Sequence, residues 1–109
     1  MSGRRLILTA ALVLAAAAPA AAQEARGQAV FEHWCAPCHA PGPGHPGTQA
    51  LAAKYKGARP EALEQRRDLT PAQVRFYVRH GVSIMPFFRK TEISDAELDA
   101  LGAYIARQR

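Results

Sequence analysis

Cys35-Ala36-Pro37-Cys38-His39 decides how this chain is read. The stretch holds both cysteines of the protein, three positions apart, with a histidine directly after the second. Two thiols at that spacing can each add across a vinyl group of one haem. The adjoining imidazole can then reach the iron, which makes Cys-x-x-Cys-His a c-type haem attachment pattern. Three other readings fit less well. A thioredoxin-like redox pair wants a surrounding βαβ pattern, and no strand-like alternation flanks these residues. A zinc site wants four ligands, commonly from two separated pairs, whereas Cys35, Cys38, His39 and His33 would be crowded together with no second pair downstream. A structural disulfide suits an exported protein but gives His39 no role.

A haem iron held by one imidazole has a second axial position, and the sequence offers a ligand for it. Met85 is the only methionine besides Met1. It lies in Val82-Ser83-Ile84-Met85-Pro86-Phe87-Phe88, an apolar stretch between two helical patterns. A thioether is a soft axial ligand, and a Met/His pair raises the reduction potential. Pro86 has no N–H to donate, which favours an irregular loop able to drape over the second haem face. His80 is the rival ligand, although a histidine in the last turn of a helix is also favoured by the helix dipole.

Outside this pair of ligands, the first residues read as a targeting device. Arg4 and Arg5 form a positive n-region, Leu6 to Ala18 an apolar run, and Pro19 followed by Ala20-Ala21-Ala22 a small-residue cleavage site. The run is too short for a comfortable membrane span. Residues 1–22 are therefore expected to be a signal peptide cleaved near Ala22. Residues 23–109 are expected to be one periplasmic domain with no membrane span. The net charge of +5 then falls to about +3, because two of the basic residues leave with the signal. That small excess carries no aromatic-interleaved basic stripe, so nucleic acid is not an expected partner. A domain of this size is marginal on side chains alone. A buried macrocycle would supply missing apolar volume, and the apoprotein is expected to fold poorly.

The remaining pattern is helical. Val30, Phe31 and Trp34 recur at helical spacing over Glu24 to Trp34, with Gly27 four residues before Phe31. Gly27 marks either an incidental surface position or a close approach by another element. Residues 40 to 49, rich in proline and glycine, read as a loop. One of its carbonyls is placed to accept the His39 N–H, as outer partners of ligands do, and His45 reads as solvated. Gln49 to Lys56 reads as a short helical turn with Leu51 and Tyr55 on one face. Lys54, Tyr55, Arg59, Arg66 and Arg67 are candidate haem-propionate partners, with a solvated surface as the default for each. Thr70-Pro71-Ala72-Gln73 and Ser94-Asp95-Ala96-Glu97 are capping boxes that start two further helices. The first turns Val74, Tyr77 and Val78 inward and stops at Gly81. The second has Leu98, Leu101 and Ile105 on its apolar face, flanked by Gly102 and Tyr104. The small residues of the two terminal helices suggest a close crossing. Arg75, Arg79, Arg89 and Lys90 bracket the Met85 loop, as a positive rim that steers an acidic partner or as ordinary solvated charges.

These residues resemble the class I cytochromes c, small monohaem proteins, over nearly all of 24–107. The resemblance rests on Gly27 with Phe31, on Cys35, Cys38 and His39, on Met85 followed by Pro86, and on Leu101, Tyr104 and Ile105. It implies an all-α fold of three to four helices wrapped around one covalently bound haem c, with the N- and C-terminal helices crossing. It also implies attachment through Cys35 and Cys38 and iron ligation by His39 and Met85. One departure stands out: the family's Gly-Pro-x-Leu stretch after the proximal histidine has no clean match here, and Pro41, Pro43 and Pro46 compete for its role. A narrower similarity joins the Gly81–Phe87 loop to the cytochrome subunits of p-cresol methylhydroxylase-type flavocytochromes. There the partner would be a FAD-containing dehydrogenase subunit that oxidises alkylphenols. The expected function is one-electron transfer to and from redox partner proteins, with no catalytic residues of the chain's own. The competing expectation is a haem enzyme or a gas or redox sensor with an open or displaceable sixth site. A third is a bare interaction module whose cysteines form only a disulfide.

Overall fold

Thr70 and Ser94 begin the two most sharply defined helices. Each hydroxyl accepts from the backbone N–H three residues on, and the Gln73 and Glu97 side chains accept from the cap N–H in return. Two otherwise unpaired donors are thereby satisfied at each helix start. In a computed structural model that describes residues 19–108, the chain is all-helical, as its sequence implies. We label the helices α1 (19–30), α2 (Ala36–His39), α3 (Pro46–Tyr55), α4 (Pro71–His80) and α5 (Asp95–Ile105). Among the described residues there is no strand, only an isolated bridge between Val82 and Met85. The proposed n-region and apolar run lie outside the described residues.

Helix α1 is already formed at 19–23, ahead of the expected start at Glu24. Ala20 to Ala22 are strong helix formers, and nothing there ends the helix. At its other end α1 does not stop before the haem motif. It continues through one wide turn, Phe31–Cys35, in which Ala36 N–H donates to Phe31 O, and then into α2. Such a π-type turn inserts a residue and rotates the next segment about the axis.

The terminal helices cross at Gly27. A Cβ at this position would run into the Ala100 carbonyl oxygen and come within 2.6 Å of Tyr104 Cβ. Gly27 is thus a close-approach residue and not an incidental surface glycine. Phe31 then packs beside Tyr104, with ring centroids 6.0 Å apart, and the Arg107 guanidinium reaches Glu24 at 4.0 Å. The small residue facing Gly27 is Ala100, not Gly102. Gly102 instead meets the first turn of α4, its would-be Cβ 3.2 Å from Pro71.

Val30, Phe31, Val74, Val78, Ile93, Leu98, Leu101, Tyr104 and Ile105 form the core. Tyr77, expected inside with Val74 and Val78, is 40% exposed. It still shares their face, and lines the same cavity as Val74 and Val78, at its more open side. Helix α3 begins at Pro46, inside the segment that reads as a loop. Proline suits the first helical position because its missing N–H would be unpaired there anyway.

Candidate haem site

One cavity collects the functional candidates. Its volume is about 220 Å³, and its wall is largely apolar. Cys35 and His39 line it from the end of the N-terminal helical run, four residues apart and so on one face. Met85 lines it from the loop after α4, and Leu51, Leu63, Leu69, Val74, Leu101 and Ile105 contribute apolar wall. Cys38 is exposed and lies outside this lining. No disulfide joins the two cysteines. Before haem attachment, burial, with Cys38 close by as a lesser cause, pushes the Cys35 thiol up to about 12.

The His39 ring is held by α3. Gly47 lies against it so closely that a Cβ there would be 2.7 Å from His39 Cε1 and 2.9 Å from Nδ1. Burial pushes the imidazole below its ordinary range and keeps it neutral, the form that binds metal. Nδ1 is buried with no hydrogen-bond partner. The expected carbonyl acceptor from the proline-rich segment is therefore not in place. The carbonyls nearby serve other donors: Thr48 Oγ1 donates to Ala40 O at 2.8 Å, and His45 Nδ1 lies 3.0 Å from Pro37 O. His45 is thus half-buried and tied to α2, not a solvated residue. With Nδ1 closed off by Gly47, Nε2 is the ring nitrogen left to face a ligand.

The loop carrying Met85 is built on Gly81. Gly81 has a positive φ of 69° as expected, but its ψ of 175° is extended and not left-handed helical. A Cβ there would also sit 2.6 Å from Met85 O, so the residue is fixed by space as well as by φ. Val82 and Met85 exchange backbone hydrogen bonds of 3.1 and 2.9 Å around Ser83 and Ile84. Phe88 N–H then donates to Val78 O at 2.7 Å, which anchors the returning chain on α4. Trp34 packs edge-on against Phe88 from the other side. His80 is exposed, stacked on Phe76 with Nδ1 2.8 Å from Phe76 O, and does not line the cavity.

The charges around the loop are paired. Arg75 meets Asp99, Arg79 meets Asp95 at 2.9 Å, Arg89 meets Glu92 at 3.4 Å and Lys90 meets Asp95 at 3.0 Å. Acids from the start of α5 and its approach thus offset the expected basic rim. What the surface does expose is apolar: Phe76, Val82, Ile84 at 82% and Phe87.

At its other end the cavity is polar. Arg66, by default a solvated arginine, is instead 3% exposed and grips both oxygens of Asp68 at 2.6 Å. This fork holds the Asp68 carboxyl at about 2, well below its usual range, and raises Arg66 further. Sequence reasoning finds Arg66 but not its burial; the Arg-x-Asp spacing is the available signal.

An all-helical fold with Cys35, His39 and Met85 on one apolar cavity defines a small c-type cytochrome domain. The chain belongs to the family described as cytochrome C oxidase, cbb3-type, subunit III, whose model matches residues 22–105. It is accordingly an electron-transfer haem protein with a covalently bound c-type haem and its iron. No curated protein and no solved structure matches it. The narrower resemblance to p-cresol methylhydroxylase-type cytochrome subunits finds no support in these comparisons. No described helix is long and apolar enough to cross a membrane.

Proposed function

We propose that the protein is a one-electron carrier exported to the periplasm, with its haem tethered through Cys35 and Cys38 and its iron held by His39 and Met85. The observation that carries this reading is the convergence of Cys35, His39 and Met85 on one largely apolar cavity from distant parts of the chain. The haem supplies an Fe(III)/Fe(II) couple, and the chain sets its potential through ligand identity and burial. Two axial protein ligands leave no open position for a substrate, so the chain's own work is to bind, orient and exclude water.

The donor and acceptor are other redox proteins. The exposed Val82, Ile84 and Phe87 beside Met85 support short-range apolar contact with them. A FAD-containing dehydrogenase subunit is one candidate donor, and only the likeness of the Gly81–Phe87 loop speaks for it. Export rests on the n-region, apolar run and alanines of residues 4–22. Electron transfer is then the whole reaction; the enzyme or sensor reading requires Met85 to leave the iron.

Redox titration of the haem-loaded protein from a periplasmic fraction tests this. A reversible one-electron change, no carbon monoxide binding by the ferrous form at neutral pH and an N-terminus near Gln23 are expected. Ready carbon monoxide binding would favour a displaceable sixth site, retention of residues 1–22 would overturn cleavage near Ala22, and absence of the protein from that fraction would overturn the export assignment.

A further inference from the structure

The cavity has a charged end that neither tethering nor axial ligation uses. Lys54, Arg59, Arg66 and Asp68 all line it. They surround Tyr55, whose ring lies 5.5 Å from Lys54 Nζ, 5.4 Å from the Arg59 guanidinium carbon and 5.0 Å from that of Arg66. Three cations and one carboxylate leave two positive charges without a counter-charge at the edge of an apolar space. Charge brought near low-dielectric walls is costly unless it is paired. A buried arginine with a fixed bidentate partner is also a rigid part, not a mobile surface chain. Asp68 takes Arg66 through Nε and Nη2, which leaves Nη1 outside the fork, and Arg59 reaches Asp68 Oδ2 at 3.0 Å.

We propose that this end of the cavity is a dicarboxylate subsite that receives the two haem propionates, with Arg66 fixed by Asp68 as its floor and Arg59 and Lys54 as its outer donors. The inference rests on the haem reading of the cavity. It sets the rotation of the ring: the carboxylate edge lies towards Tyr55 and Arg66. Asp68 has a dual part, because it orients both arginines while opposing the propionates' charge. Arg67, the other candidate arginine for this role, does not line the cavity.

Two-dimensional NMR of the ferrous holoprotein tests the placement. Nuclear Overhauser contacts are expected from the propionate methylene protons to the Tyr55 ring and to the Arg59 or Arg66 side chain. Redox titration adds a readout that simple structural damage would not give with opposite signs. Arg59→Gln should lower the midpoint potential and Asp68→Asn should raise it, while Arg75→Gln, outside the cavity lining, should move it less than either. Both test positions are largely exposed, so neither depends on replacing buried Arg66. Propionate contacts to other residues, or same-sign shifts in the two variants, would overturn the subsite while leaving the haem reading intact. Absence of haem from this cavity would overturn both.

Discussion

Gly47 of α3 is pressed against the imidazole of His39, 2.7 Å separating the ring's Cε1 from the place a Cβ would occupy. The same would-be Cβ lies 2.7 Å from the Cys38 carbonyl oxygen. Backbone and ring thus box in position 47, and neither is the free end of a flexible chain. Overpacking of this kind costs about 1–3 kcal/mol. Gly47→Ala should lower the melting temperature of the haem-loaded protein and alter its visible spectrum through a displaced His39. Gly57→Ala, at a positive φ but facing open space, should lower stability without touching the spectrum.

Gly27→Ala acts at the other close approach. Its methyl group would meet the Ala100 carbonyl and Tyr104 Cβ, so the terminal helices must separate. Destabilisation at or above the ~1–3 kcal/mol typical of overpacking is expected in denaturant titration. The haem spectrum of the remaining folded protein should be unchanged, since neither helix contributes an axial ligand at the crossing.

Much of this frame is legible in the sequence, because its determinants are local. The capping boxes at Thr70 and Ser94, the Leu98/Leu101/Ile105 stripe and the Cys35–His39 motif each arise from residues within a few positions of one another. The rest depends on the third dimension. The role of Gly47 requires knowing that α3 folds back onto His39. Arg66 is buried because Asp68 and the cavity wall meet it together. Ile93 is fully buried outside any helix, where no periodicity could mark it, and the wide turn at Phe31–Cys35 has no residue signature. Arg75 and Arg79 are visible, but their acidic partners Asp99 and Asp95 on α5 only become neighbours in the folded chain.

Tyr104 gives a pH-dependent prediction. It is buried and donates a hydrogen bond to Glu64. Burial, then the neighbouring Glu64, pushes its hydroxyl up to about 12. The neutral form is therefore the one the fold stabilises. Its contribution is fully present below the ordinary tyrosine range near ~10 and is lost as pH rises through about 12. Tyr104→Phe should cost about 1 kcal/mol at neutral pH. The stability gap between the two proteins should close between about pH 10 and 12, as measured by denaturant titration across that window.

Haem removal should unfold the domain. Cys35, Leu51, Leu63, Leu69, Val74 and Leu101 all face the cavity, and a chain this small has little other core to compensate. Circular dichroism and heat denaturation of a Cys35→Ser/Cys38→Ser double variant, made without haem, should show reduced helicity and no sharp transition. A cooperative transition like that of the holoprotein would show that the side-chain core suffices.

The central claim is that Met85, and not His80, completes the coordination of the iron. The near-infrared spectrum of the oxidised protein tests it most directly, since a thioether sulfur bound to ferric haem gives a weak charge-transfer band that a nitrogen ligand does not. That band is predicted in the wild type and in His80→Ala, and its loss in Met85→Ala. A haem-loaded wild type without the band, or a band that survives Met85→Ala, would contradict the claim.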